Sequence, residues 1–207
     1  VTRNWWEEHV PALEQAGADA IELNISLMPY DYRDDEAAIS EFYVKTVESV
    51  KRLVSIPVAV KIGHYFSSIP AIVDRLRWSG ATAVVLFNRF YQLDIDVENF
   101  RLRSGSPMSS PADLAFPLRW ITMIYGKTEA QLAASGGVHS GEAAVKALLA
   151  GAQVTQVCST LYRNGLDHLE TMKTELLAWM DKHSYERIDQ FRGKMSQKRS
   201  SQPETFE

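Results

Sequence analysis

Apolar residues recur along this chain in two alternating rhythms: short continuous runs, and longer stretches in which every third or fourth position is apolar. Continuous runs bounded by Gly, Pro or polar residues mark buried strands, and the spaced stretches mark helices with one buried face. The pattern predicts a first helix from Asn4 to Gln15, with Trp6, Val10 and Leu13 on one face and Gly17 at its end. A strand follows from Ala20 to Ser26, then a polar loop containing Pro and Asp from Leu27 to Glu36. The helix from Glu36 to Val54 places Ile39, Tyr43, Val47, Val50 and Leu53 on its buried side, and Ile56-Pro57 leads into a strand from Val58 to Gly63. Ser67 or Ser68 caps the next helix, Pro70 sits in its first turn and Gly80 ends it. Ala83 to Asn88 is again a strand.

From Tyr91 to Ser110 the rhythm breaks. Leu93–Val97 and Phe100–Arg103 alternate apolar with charged residues, which predicts a small hairpin inserted over the top of the main fold (91–110). Pro117 to Tyr125 reads as a short apolar helix containing Trp120. A long helix from Leu166 to His183 carries Leu169, Met172, Leu176, Leu177 and Met180 on its core side. The chain from Ser196 to Glu207 is polar, rich in Ser and Gln, and predicted to fray, so the folded unit is 1–195 and the tail 196–207.

The stretch from Gln131 to Asn164 organises the rest. A short strand ends in Ser135-Gly136-Gly137, a helix follows with Ser140 as its cap, Glu142 in its first turn and Gly151 past its end, and a second strand, Val154 to Cys158, opens into Ser159-Thr160. Two consecutive strand ends with small residues suit a phosphate cradle, because glycine lets the backbone approach and the following helix start offers N–H donors and a favourable dipole. Gly-Gly after a strand is also an ordinary tight turn; the pairing of two such ends, one βα unit apart, is what points to a phosphate-bearing cofactor. In α/β barrels the phosphate site is often built from the loops after the seventh and eighth strands.

The other strand ends continue the theme: Asn24, Lys61 and Asn88. A lysine on an apolar strand is costly to bury without an anionic or electron-rich partner, so Lys61 either contacts a cofactor at the rim or snorkels to solvent there. Asn88 either turns the chain or reads a planar heterocycle with its amide. The grammar is α/β, of the (β/α)8 barrel type. It counts only about five strand-and-helix units against the ~250 residues of a full barrel, so an incomplete barrel covering the last five strands is expected.

With 207 residues and 45% hydrophobic content the chain can bury one sizeable core. A net charge of −4 offers no basic face to a nucleic acid. One cysteine excludes an intrachain disulfide framework and fits a reducing compartment. No run of roughly 18 apolar residues suggests a membrane span, so a cytoplasmic protein acting on a small molecule is expected. The five histidines are scattered and no Cys/His group has metal-ligand spacing, so no metal site is expected.

These residues resemble the FMN-dependent dihydroorotate dehydrogenases from about Ala20 to Met195. Leu23-Asn24-Ile25-Ser26 is similar to that family's Asn-x-Ser strand end, Val60-Lys61-Ile62 to its flavin-contacting lysine, and Phe87-Asn88 to its substrate-side asparagine. Ser135-Gly136-Gly137-Val138 and Cys158-Ser159-Thr160-Leu161 resemble its two FMN-phosphate loops, and Tyr185 to Lys194 its C-terminal ending. The resemblance implies a flavin oxidoreductase of pyrimidine biosynthesis. Its FMN would be held by Lys61, Ser135, Gly136, Gly137, Cys158, Ser159 and Thr160, and its substrate oriented by Asn24 and Asn88. The family places a Cys or Ser base directly after Asn-x-Ser; here that position is Leu27, which accepts no proton, and Met28-Pro29 stands where the family has Pro-Asn. Asn88 is followed by Arg89 rather than a small hydroxyl residue. On this reading Leu27 faces the substrate, Arg89 supplies charge nearby, and Tyr30 or Tyr32 is the alternative base.

The family's first three strands are absent from the chain, which would leave unpaired barrel edges and a homodimer open as an assembly. Two other functions fit the same cradle: an FMN-binding protein with a different substrate or no turnover, and a phosphate-sugar enzyme using Lys61 as a Schiff base.

Overall fold

In the computed structural model, which describes residues 5–90, 92–201 and 203–206, five parallel strands form a single curled sheet with helices on its outer side. The expected helix start at Asn4, the side chain of Trp6, the insertion boundary at Tyr91 and the chain end at Glu207 lie outside the described residues. Helix α1 (Trp5–Gln15), strand β1 (Ile21–Asn24), helix α2 (Glu36–Leu53), strand β2 (Val58–Ile62), helix α3 (Ile69–Trp78) and strand β3 (Ala83–Leu86) follow in sequence. The hairpin β4 (Leu93–Asp96) and β5 (Arg101–Ser104) comes next, then α4 (Ala115–Ile124), β6 (Gln131–Ser135), α5 (Gly141–Ala150), β7 (Val154–Gln156), the short α6 (Ser159–Asn164) and α7 (His168–Lys182).

The sheet order is β1-β2-β3-β6-β7, every pairing parallel. Successive side chains alternate across it. Leu23, Val60, Ile62, Val84, Leu86, Leu132 and Ala134 are buried towards the helices. The register aligns Asn24 with Lys61, Lys61 with Val85, and Val85 with Ala133 on the other, concave face. Strands β1 and β7 stand at opposite edges of the sheet, yet Gln156 Nε2 donates to Glu22 Oε2 directly. A flat sheet could not make that bond; this one is rolled into an incomplete barrel, as expected.

Capping chemistry sets the helix starts. Asp35 accepts from Ala37 N at 3.0 Å to open α2, and Ser68, rather than Ser67, accepts from Ala71 N to open α3. Each such cap is worth about 1 kcal/mol. Ser67 instead donates its hydroxyl to Glu36.

Several expected boundaries shift. The first strand stops at Asn24, because Ile25 is already held by the Tyr43 hydroxyl, which donates to its carbonyl at 3.0 Å. The third stops at Leu86 and the last at Gln156, so Phe87-Asn88 and Val157-Cys158 are loop. Leu13, Leu53, Leu169 and Leu177 were expected inside and are exposed. Each lies at the flank of its helix stripe, where too few neighbours pack to cover it, while Val10, Val50, Met172 and Met180 carry the burial. The segment after residue 195 begins docked: Ser196 is fully buried, Lys127 Nζ donates to Gln197, and Lys198 Nζ donates to the Gly126 carbonyl.

The insertion is a hairpin as predicted, but inverted in polarity. Asp96 is buried under Arg103 and Asn99, while Leu93, Ile95, Phe100 and Leu102 face solvent.

Candidate functional site

At the C-terminal ends of the strands lies a cleft of about 460 Å³, within the range of ordinary ligand pockets. Lys61, Asn88, Ser135, Gly136, Gly137, Cys158 and Ser159 all line it, so six of the positions singled out as cofactor-binding and one substrate position share a single cavity. Asn24 is tied to that wall because Asn88 Nδ2 donates to Asn24 Oδ1. Thr160 is placed differently. It is fully buried behind the wall, its Oγ1 accepting from Asn164 Nδ2 at 3.1 Å.

The two glycines are not equivalent. Both take positive φ, +99° at Gly136 and +75° at Gly137. A Cβ at Gly137 would collide with the Leu114 backbone, 2.7 Å from its Cα, so this residue packs against the 3₁₀ turn Pro111–Leu114. A Cβ at Gly136 would meet no atom within 4 Å, which leaves that backbone open to the cleft. The start of α5 is less available than its sequence suggests. Ser140 accepts from Ala143 N, and Glu175 from α7 accepts from Gly141 N at 2.6 Å, so the chain's own carboxylate sits where an anion would gain from the dipole.

Lys61 is half-covered and does not simply reach solvent. Its Nζ donates to Gln156 Oε1 at 2.9 Å and lies 3.9 Å from Glu22 Oε1. Neither partner was anticipated. Gln156 and Glu22 face inward at the two sheet edges, a fact that needs register and curl rather than sequence spacing.

A hydroxyl and imidazole network supports the far wall. Ser109, at the return of the insertion, donates its backbone N–H to Ser159 Oγ at 2.8 Å, and its own hydroxyl shares a 3.0 Å hydrogen bond with His139 Nε2. Burial, followed by the Arg163 charge, lowers the His139 pKa. Sequence reading passed over this network because its members come from three separate segments.

Arg89 does not stand free as charge for a substrate. Its guanidinium donates to Asp113 at 3.1 Å and to the carbonyls of Ser106 and Met108, which staples the insertion to the site. Burial pushes the Asp113 pKa up, but hydrogen bonds from Ser110 and the Arg89 charge outweigh it and hold it below the usual carboxylate value. Leu27 was expected to face the substrate; it is half-buried against the hydrophobic core and is not among the residues lining the cleft. Tyr30 and Tyr32 are 90% and 95% exposed, out in solvent.

Beside the cleft lies a second pocket of about 330 Å³ that shares Phe87, Asn88, Arg89, Ser135 and Gly136 with it. His64, Tyr65, Phe90, Phe116 and Pro117 add apolar and ring surface to its walls, and Gln92 and Asp113 add polar groups. No sequence motif announced it.

A curled parallel sheet with its cleft at the strand ends is the architecture of barrel enzymes. The dihydroorotate dehydrogenase family profile matches residues 6–180, and the chain belongs to that family. Its relatives include the dihydroorotate dehydrogenase B (NAD(+)) catalytic subunit of Thermoplasma volcanium, 27% identical over 87% of this chain and 61% of that one. The corresponding subunit of Methanosarcina acetivorans is 29% identical over 90% of this chain and 61% of its own. The chloroplastic dihydropyrimidine dehydrogenase (NADP(+)) of Arabidopsis thaliana is 26% identical over 91% of this chain and 48% of its own. The chain thus spans between 48% and 61% of the length of these relatives. Among the described residues no helix is long and apolar enough to cross a membrane.

Proposed function

We propose that the strand-end cleft holds FMN and that the protein is a flavin oxidoreductase of the dihydroorotate dehydrogenase type, acting on a CH–CH bond of a dihydropyrimidine-type ring. The observation that carries this is the convergence of Lys61, the Gly136-Gly137 turn and Ser159 on one cavity. The residues fit the group. Gly136 leaves its backbone approachable, Ser159 keeps a hydroxyl proton to donate after accepting from Ser109, and the cleft has the volume of a cofactor site.

FMN, when bound, supplies the two-electron acceptor for hydride. Lys61 sets a positive charge in the cleft floor, held in place by Gln156 and balanced by Glu22, where it favours electron-rich groups. The Asn24–Asn88 amide pair offers donors and acceptors to a planar ring. Ser135, Gly137 and Cys158 shape the phosphate end, with Thr160 bracing it from behind. The names of the relatives supply the dihydropyrimidine class of substrate. A cytoplasmic setting in pyrimidine biosynthesis goes with that chemistry, and the outward apolar face of the hairpin supports a homodimer.

A second reading, FMN binding without dihydroorotate turnover, is favoured by Leu27, which stands in the family's base position and packs on the core. An absorbance scan after FMN addition tests the cofactor, and the absence of flavin bands after desalting would sink the proposal. Anaerobic dihydroorotate then separates the readings: prompt bleaching supports turnover, and a persistent oxidised spectrum supports the second.

A further inference from the structure

We propose that the pocket beside the cofactor cleft is a subsite for an uncharged aromatic ring. The preferred substrate on this view is a neutral compound carrying such a group rather than a carboxylated one. This deepens the flavin reading above and rests on it for the neighbouring cofactor.

Five of the lining residues are rings in mutual contact, set beside Asn88, Gln92 and the Arg89–Asp113 pair. Tyr65 and Phe90 lie 4.7 Å apart between centroids, Phe87 and Phe116 5.2 Å, and His64 and Phe116 5.3 Å. Phe116 remains 44% exposed and Tyr65 39%, so the collar presents ring surface left uncovered among the described residues. A planar ring entering there meets edges and faces in the geometry that aromatic pairs prefer. Continuity with the cleft through Phe87, Asn88 and Gly136 means one extended molecule can occupy both cavities.

Charge narrows the ligand further. The one guanidinium on the wall, Arg89, is already paired with Asp113 and two carbonyls. Partial burial among the rings lowers the His64 pKa, so near neutral pH the imidazole is uncharged. A carboxylate entering the collar would lose water and gain no free cation, whereas a neutral ring pays no such cost.

Gly63 tunes the shape. A Cβ there would fall 2.7 Å from the Phe90 ring, so any larger residue displaces that wall of the pocket.

The test is calorimetry on the intact protein with 2-naphthol, 2-naphthoate and dihydroorotate, with FMN binding followed by absorbance in the same samples. The expected result is that 2-naphthol binds at least tenfold more tightly than 2-naphthoate and is not displaced by dihydroorotate. Phe116→Ala, a change at an exposed ring, weakens 2-naphthol tenfold or more while FMN affinity stays within twofold. Gly63→Ala weakens it too, by displacing Phe90. Equal binding of the acid and the alcohol, or a Phe116→Ala variant that binds 2-naphthol as before, overturns the inference while leaving the cofactor reading intact. Loss of FMN binding alone, with the naphthol pattern retained, overturns the cofactor reading and leaves the subsite standing.

Discussion

The cofactor cleft and the aromatic pocket share a wall yet are built from opposite materials. The cleft's phosphate-side wall is backbone and small side chains at strand ends, where position follows from strand register and glycine conformation. The pocket's distinctive wall is large rings on the loops after β2 and β3 and on α4, where position follows from packing. The difference teaches that the two should respond differently to mutation. In the cleft a single Cβ is decisive; in the pocket a whole ring is removable without loss of the frame.

The comparison breaks first at the two glycines. Gly137→Asp forces a side chain into the Leu114 backbone at a φ of +75°, so we expect loss of the folded protein itself. Cavity-free overpacking of this kind costs about 1–3 kcal/mol or more and the left-handed backbone about 1–2 kcal/mol. A melting temperature lower by roughly 10 °C, or insoluble protein, follows from that sum. A variant melting like the parent would show that the turn is not packed as described. Gly136→Asp meets only open space, so the fold should survive with only the backbone penalty, while FMN affinity falls more than tenfold because a carboxylate opposes the phosphate. Flavin titration and thermal unfolding on the same sample separate the two glycines.

Lys61→Met comes next. It removes the charge-assisted donor and leaves Glu22 beside the cleft without its counter-charge, so FMN affinity should drop about tenfold or more, in line with about 1.5–3 kcal/mol for a hydrogen bond to a charged group. Lys61→Met,Glu22→Gln should recover part of the loss, since the carboxylate left without a counter-charge goes as well. No recovery would mean that Glu22 is not the counter-ion.

A smaller effect concerns pH. The folded-state pKa of His139 is depressed, so the unfolded chain takes up a proton that the folded chain refuses. Stability is therefore full above the free histidine value of about 6.5 and falls as pH drops below it. Melting curves of the flavin-free protein between pH 8 and 5.5 should show that decline, and His139→Gln should make it shallower, leaving the part that the likewise depressed His64 carries. A decline of the same size in the variant would assign it elsewhere.

The smallest expected effect is at Leu27. Because this side chain packs on the core and does not line the cleft, Leu27→Cys should leave dihydroorotate-dependent flavin reduction unchanged. A gain in the reduction rate would put the loop after β1 over the flavin and reverse that placement.

Residue pattern alone determined a good deal here. The five strands, the helix cap at Ser140, a cap at Ser67 or Ser68, the hairpin and the small residues at Ser135-Gly136-Gly137 and Ser159 were all legible, because periodicity, capping and positive-φ glycine are local properties. Family resemblance added the cofactor expectation on the same residues. Tertiary structure alone decided the rest. Glu22 and Gln156 meet Lys61 only because the sheet rolls until its edges touch. Arg89 became a staple rather than a free charge because the insertion folds back over it, and Leu27 turned to the core because Tyr43 anchors the loop start. The aromatic collar joins His64, Phe87 and Phe116 across two loops and a helix. Such contacts depend on where distant segments arrive, and nothing in the local chemistry of either partner encodes the distance between them.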